Sequence, residues 1–403
     1  MSLDQTRLPQ RRREDVRLRG FSSRASVEEA TAWLDAQGER LSTEVIAASE
    51  AAGRILAGPI QAVGNVPAAG SAGEDGYAIR SRETIGAGMY NPLRFALQAA
   101  DSALRPATAA LVAAGAPLPM GADAVLPFSA GQADGAYLEV TGAVAEGVGV
   151  EDEGQEVRAG TTPIATGRAL RAEDLGLLAS LGLERVPVVR RPRVRLVIAG
   201  PKGVGRGDAD GAMLEALVAR DGGIVEAVVR GAGAREAIAA AVAGAGADVI
   251  LVAGRTGTGP DDEAPLALAG VGDLAFHGVA LRPGGSTGMG LAGAVPVVLL
   301  PGAPLACLCA YELFGGRLIR RLGGRDPRLP HTVQEVEVGS KIVSAVGLVE
   351  VCLVRRVGAR AEPVGSAEQA GLGSLARADG FVLVPASLEG HAPGARVTVY
   401  LYE

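Results

Sequence analysis

Residues 247–262 read Ala-Asp-Val-Ile-Leu-Val-Ala-Gly-Arg-Thr-Gly-Thr-Gly-Pro-Asp-Asp. An apolar run, Val249 to Ala253, gives way to a loop containing Gly254, Gly257 and Gly259, which closes on two carboxylates, Asp261 and Asp262. Glycine carries no Cβ, so its backbone N–H can come close to a ligand. Such loops suit anions like phosphate, above all just ahead of a helix N-terminus. A carboxylate just beyond can hold a divalent cation or polarise a water. Taken alone, the same residues also describe a glycine-rich turn between strand and helix with a capping Asp.

A short apolar run bounded by turn residues predicts a strand buried on both faces. From residue 194 to residue 322 strands and helices alternate, which predicts a parallel, doubly wound sheet with right-handed crossovers. Ligands of such sheets bind beyond the carboxyl ends of the strands. Four loops follow predicted strand ends: 200–208, 254–262, 283–290 and 300–304. All four are rich in Gly, Pro and small residues, so together they predict a cleft for a phosphate-type ligand. Asp208 stands where an N-cap is expected. Residues 274–281 read as a strand running into the 283–290 loop.

The flanks have a different character. Ser26-Val27-Glu28-Glu29 predicts a capping box before a helix to about residue 36. Residues 42–52 predict a second helix, ended by Gly53. Glu74-Asp75-Gly76-Tyr77-Ala78 is an acidic loop leading into a short strand. Residues 90–150 read as a small β-rich module. Gly154-Gln155-Glu156 then precedes an amphipathic helix over 170–181. Beyond Arg328, alternating patterns at 333–338, 347–354, 380–384 and 395–402 predict a small all-β domain.

The chain has 403 residues, 48% hydrophobic and 21% charged, with a formal net charge of −6. That balance predicts several globular domains and gives no pull toward nucleic acid. Cys307, Cys309 and Cys352 form no disulfide or zinc pattern and read as buried structural thiols. His277, His331 and His391 are far apart in sequence and predict no metal cluster. No apolar run is long enough for a membrane span, and the polar, arginine-rich N-terminus has no secretory character. A cytoplasmic protein is the expectation, with residues 1–22 as a disordered tail.

At this point the chain resembles the molybdopterin molybdenumtransferase family, which includes bacterial MoeA and the plant Cnx1 and gephyrin E domains. The resemblance covers residues from about 25 to 400. It is carried by Gly53-Arg54-Ile55-Leu56-Ala57, Asp75-Gly76-Tyr77-Ala78, Gly115-Ala116-Pro117-Leu118-Pro119, Gly121-Ala122-Asp123-Ala124-Val125, residues 175–182, Pro283-Gly284, and Leu300-Pro301-Gly302 with Pro304. It implies a doubly wound molybdopterin-binding, Rossmann-like domain over 191–325. It also implies a discontinuous dimerisation domain over 23–62 and 151–190, a β-rich insert over 63–150, and a C-terminal β domain over 326–403. Family members are homodimers that insert molybdate into adenylylated molybdopterin and hydrolyse the adenylate with a divalent cation such as Mg2+. Their site lies between the doubly wound domain of one subunit and the β-rich part of the other. By the same resemblance Asp75, Glu156, Asp208 and Asp262 are the acidic candidates, with Asp208 and Asp262 as metal ligands. Gly200, Lys202, Gly254, Arg255, Thr256, Gly257, Thr258, Gly259, Pro283, Gly284, Ser286, Pro301 and Gly302 are the ligand-binding candidates.

Several functional positions depart from the family pattern. Arg255 and Gly257 replace a Gly and a Ser. Residues 199–202, Ala-Gly-Pro-Lys, replace a Thr-Gly-Asp-Glu motif. Gly285 stands for a lysine, Ala303 for an asparagine, Asp210 for an asparagine, Ala114 for a threonine, and Glu156 for an aspartate. Losing the lysine removes a cation for phosphate or molybdate. Lys202 and Arg255 either restore anion binding in another geometry or are solvated loop charges. Two functional readings follow. One is a working molybdenum-inserting transferase with molybdopterin and molybdate as ligands and a client molybdoenzyme as partner. The other is a catalytically degenerate paralogue, serving as a pterin carrier, in another pterin pathway, or as a dimeric scaffold.

Overall fold

The structure is a computed structural model, which describes residues 15–200, 208–365 and 370–402. The chain divides into two compact units. Unit 1 comprises Met1–Glu44, Gly53–Ile55 and Val189–Glu403, and unit 2 comprises Val45–Ala52 and Leu56–Val188.

Unit 1 is built on a six-stranded sheet. In chain order its strands are β1 (Arg193–Ile198), β2 (Ile224–Arg230), β3 (Val249–Ala253), β4 (Asp273–His277), β5 (Gly288–Ala292) and β6 (Val295–Leu300). Their spatial order is β2-β1-β3-β6-β5-β4. Strands β2, β1, β3 and β6 are mutually parallel. The buried side chains of β3 alternate between two apolar clusters. Val249, Leu251 and Ala253 of β3 join one apolar cluster with Leu214 and Val218 of α1 (Ala209–Arg220). Ile250 and Val252 join a second cluster with Ile238 of α2 (Arg235–Val242) and Leu268 of α3 (Ala264–Val271). A strand whose two faces meet different helix layers is the signature of double winding. Each fully buried Leu or Ile stabilises this core by about 1.5–3 kcal/mol.

The sheet is not wholly parallel, which corrects the sequence reading. Residues 288–290, expected as the end of the 283–290 loop, belong to β5, which runs antiparallel to both β6 and β4. Glycines at 288 and 290 hide this strand in the sequence, because Gly is depleted from strands. The sheet needs them: a Cβ on Gly290 would lie 2.2 Å from the Asp273 carbonyl oxygen. The expected strand over 274–281 is instead β4 and, separately, Leu281–Arg282, which pairs with the C-terminal strand Val349–Val357. That strand closes a ring with Arg360–Pro363, Thr332–Val338, Arg396–Leu401 and Gly380–Val384. The C-terminal region is therefore β-rich, as expected, although it also holds one short helix, Leu372–Leu375.

Helix Val27–Asp35 has the predicted capping box between Ser26 and Glu29. Its Ala30 and Leu34 are fully buried in the same cluster as Val194 and Val298, so residues 25–34 pack with unit 1. The sequence reading groups them with residues 45–62 and 151–190.

Unit 2 holds another six-stranded sheet, with Gly76–Ile79 between Ala124–Pro127 and Thr108–Val112. A second core gathers Leu56, Ile60, Ile164, Leu178 and Val186 around helix Ala172–Ser180. The helix expected over 42–52 is not formed. Thr43–Ala47 is a strand paired with Arg185–Val189, followed by a single 3-10 turn, Ala48–Glu50. Thr43, Val45 and Ile46 are β-branched, which favours the pleat over the helix.

Candidate functional site

The carboxyl edge of β1, β3 and β6 gathers the described parts of the predicted ligand loops. Ala199 N–H donates to the Ala253 carbonyl at 2.7 Å, and Gly254 N–H donates to the Leu300 carbonyl at 2.9 Å. Gly254 has φ +93, and a Cβ there would lie 2.2 Å from the Ala199 carbonyl oxygen. On its other side, a Cβ on Gly302 would lie 3.0 Å from the Gly254 Cα. Three strand ends therefore meet with backbone against backbone, and only glycine fits at position 254. Gly200 and Pro301 flank it in sequence. Lys202 lies outside the described residues.

The loop after β3 is shaped from within. The Asp262 Oδ2 accepts a 2.7 Å hydrogen bond from the Gly259 N–H. The same oxygen would be 2.6 Å from a Cβ on Gly257, so the carboxylate folds back over the glycines. Thr256 is buried, and its hydroxyl lies 3.1 Å from the Ser286 hydroxyl. That contact brings in the loop of Pro283, Gly284 and Ser286, where the Arg282–Pro283 peptide is cis. Arg255 adopts φ +57 and is held at 3.1 Å from the Asp261 carbonyl and 3.4 Å from its carboxylate. The Thr258 carbonyl accepts from the Leu18 N–H at 2.8 Å.

Asp208 is the N-cap of α1: its Oδ1 accepts from the Gly211 N–H at 2.7 Å. Its Oδ2 is paired with Arg230 Nε at 2.5 Å. Asp210, in the first turn of the same helix, has a buried Oδ1 with no hydrogen-bond partner among the described residues. Burial, and then the charge of Asp208, push its carboxyl up to about 6. Asp75 and Glu156 belong to unit 2. Asp75 is exposed and accepts from the Ala114 N–H at 2.8 Å. Glu156 is exposed, and its own N–H donates to the Val66 carbonyl at 3.0 Å. Among the described residues, no group of three His, Cys, Asp or Glu side chains could hold a metal ion. Asp208 already serves a helix cap and an ion pair with Arg230.

Sequence reasoning missed two contributors. His277, read as incidental, is buried at the end of β4, with Nε2 2.7 Å from the Thr256 carbonyl. Desolvation lowers its pKa, against the opposing pull of that carbonyl, and holds the ring neutral at pH 7. The signal was a histidine closing an apolar strand just before Gly278. The second is the expected tail. From Asp15 onward it packs on the site: Val16 is buried and Arg17 pairs with Glu263. Phe21 meets the His277 ring edge-on, with centroids 4.9 Å apart.

Two open depressions adjoin these loops. One, of about 500 Å³, is lined by Arg235, Glu236, Arg255, Asp261 and Glu263. The other, of about 440 Å³, runs from Arg282 to Lys341, Ser344, Glu350 and Cys352. No helix among the described residues is long and apolar enough to cross a membrane.

Fold and site together define a multidomain protein whose doubly wound domain gathers glycine-rich loops at the carboxyl ends of its strands, with β-rich regions before and after it in sequence. Three family models match in order. The model of the MoeA N-terminal region (domain I and II) covers residues 25–182, the "Probable molybdopterin binding domain" covers 197–321, and the MoeA C-terminal region (domain IV) covers 335–402. The chain belongs to the MoeA family. It is 27% identical over 397 residues to the molybdopterin molybdenumtransferase of Bacillus subtilis (strain 168), covering 91% of this chain and 90% of that protein. It is 28% identical over 309 residues to molybdopterin molybdenumtransferase 2 of Mycobacterium tuberculosis (strain ATCC 25618 / H37Rv), covering 70% and 76% respectively. The crystal structure of the molybdopterin biosynthesis moea protein from Pyrococcus horikosii is similar with a TM-score of 0.77 and 25% identity, covering 94% of this chain and 100% of that one.

Proposed function

We propose that this protein acts in molybdenum cofactor biosynthesis, binding adenylylated molybdopterin and inserting molybdate with hydrolysis of the adenylate. The observation that carries the reading is the junction of Gly254 with Ala199 and Gly302, beside the Thr256–Ser286 contact. It packs three strand ends backbone against backbone and so holds the glycine-rich loops beyond them at one edge of the sheet. Loops of that composition suit a pyrophosphate-linked ligand. Gly200, Lys202, Gly257, Thr258, Gly259, Pro283, Gly284 and Pro301 complete the binding loops of this reading, and Arg255 borders them.

In the hydrolytic step a water attacks the adenylate phosphorus and the phosphorus–oxygen bond to molybdopterin phosphate breaks, releasing AMP. Asp262 is the base of choice in unit 1, because one carboxylate oxygen fixes the loop through Gly259 and the other remains to take the proton. Asp208 positions α1, while Asp75 and Glu156 are the acidic candidates of unit 2. Mg2+ is the cation implied by the family resemblance. Since Asp208 and Asp262 offer no three-ligand set among the described residues, no step here is routed through it. The homodimer, a client molybdoenzyme and a cytoplasmic location belong to the same reading.

The test incubates the purified protein with adenylylated molybdopterin and molybdate, with and without Mg2+, and follows AMP release and cofactor formation. AMP release that falls at least tenfold in Asp262→Asn supports the reading. Binding without AMP release points to the carrier instead, and no binding overturns both. Light scattering gives the oligomeric mass.

A further inference from the structure

We propose that Arg24 supplies the positive charge that meets the oxyanion of the ligand at the Pro283–Ser286 loop. Gly285 gives that loop no side chain, and a Cβ built there would lie 3.6 Å from Arg24 Nε. The guanidinium thus borders the space into which a side chain at residue 285 would grow. It arrives from a distant part of the sequence but stands on fixed backbone. Ala25 N–H donates to the Gly278 carbonyl at 3.0 Å, and Ala280 N–H donates to the Ala25 carbonyl at 2.8 Å. The Arg24 guanidinium carbon lies 4.9 Å from the centre of the Phe21 ring, which itself abuts His277. A cation over an aromatic face is attracted to it without being neutralised.

Three neighbouring arginines are already committed. Arg255 is tied to Asp261, Arg282 to Glu350, and Arg230 to Asp208. Arg24 is exposed and has no carboxylate partner among the described residues. A doubly charged tetrahedral oxyanion binds an uncommitted guanidinium better than one held by a carboxylate, because no existing ion pair must be broken. The planar fork also suits two oxygens of one phosphate or molybdate at once. The choice of ligand rests on the function proposed above; the choice of Arg24 rests on the geometry at Gly285.

The test uses the full chain and two probes, adenylylated molybdopterin and inorganic tungstate, with affinities measured by calorimetry at several salt concentrations. Arg24→Ala is expected to weaken both probes by roughly tenfold, the worth of one charge-assisted hydrogen bond. Its affinity should also depend less steeply on salt than the wild type's. Arg24→Lys recovers part of the loss. Adding Gly285→Lys to Arg24→Ala recovers more, since a Cβ at 285 meets only ordinary contacts. The melting temperature stays unchanged in all variants. If wild type binds and Arg24→Ala binds equally well, Arg24 is not the anion ligand and the functional reading stands. A loss of affinity matched by a loss of thermal stability, with the salt dependence intact, assigns Arg24 a packing role and overturns the proposal. If wild type binds neither probe, the functional reading falls and the proposal with it.

Discussion

The hydroxyls of Thr256 and Ser286 lie 3.1 Å apart and join two loops that belong to different strands of one sheet. Thr256 is 1% exposed, and its hydroxyl also reaches the Leu300 carbonyl at 3.5 Å. Thr256→Val keeps the shape and removes both contacts. The expected cost is about 1 kcal/mol in urea unfolding. Affinity for adenylylated molybdopterin should fall by more than Ser286→Ala alone causes, because only Thr256 also touches the third strand end. Equal affinities of Thr256→Val and wild type would show that the two loops hold their places independently.

Gly254 and Gly302 face each other, yet they should respond differently to alanine. Gly254→Ala meets both a positive φ of +93 and a carbonyl oxygen at 2.2 Å. It is expected to lose about 3 kcal/mol or more. Gly302→Ala meets only the Gly254 Cα at 3.0 Å, so about 1 kcal/mol is expected. Thermal melts of the two variants side by side check the order.

The strands of the doubly wound sheet were legible because β1, β3 and β6 are apolar and bounded by Gly and Pro. Their cleft was legible for the same reason: loops at strand ends announce themselves through small residues. β5 was not, since its glycines serve close backbone approach rather than strand propensity. Residues 43–47 were misread because a short stretch with β-branched side chains fits either period, and pairing with 185–189 decides between them. The contributions of Phe21 and Arg24 had no local signal at all, and that of His277 had only its place at the end of an apolar strand. Each depends on a contact between distant residues, and periodicity does not report those.

Asp210 makes stability depend on pH. Burial raises its carboxyl to about 6, above the unfolded value of about 4. The native state therefore holds the proton more tightly than the unfolded chain, so stability is fully present below pH 4 and is lost as pH rises through 6. Asp210→Asn removes this dependence. Its melting temperature should exceed the wild type's by roughly 2–4 °C at pH 8 and match it at pH 4.5, allowing about 1 kcal/mol for a partly screened group. Parallel pH profiles of the two proteins would contradict the assignment.

Glu312 sits in a buried charge network. Its carboxylate takes two bonds from Arg220, at 2.7 and 2.9 Å, and lies 3.2 Å from His331 Nε2. Burial alone would raise its pKa, but His331 and Arg220 together draw it below the ordinary value. Its stabilisation is thus present at neutral pH and fades as pH falls through the carboxylate range. Glu312→Gln should cost about 3 kcal/mol at pH 7, with the gap narrowing toward pH 3 in denaturant melts.

The hairpin of β5 and β6 has two ends with separate duties. Gly288, at one end, follows directly on the loop that meets Thr256, while the turn at Gly293 and Ala294 lies at the opposite edge of the sheet. That turn is exposed, and nothing lies within 4 Å of where a Gly293 side chain would begin. Loop tips of this kind accept foreign sequence readily. A peptide tag or fluorescent reporter spliced between Gly293 and Ala294 would ride on the same rigid strand as the cleft, and so would register ligand-driven movement without standing in the ligand's way.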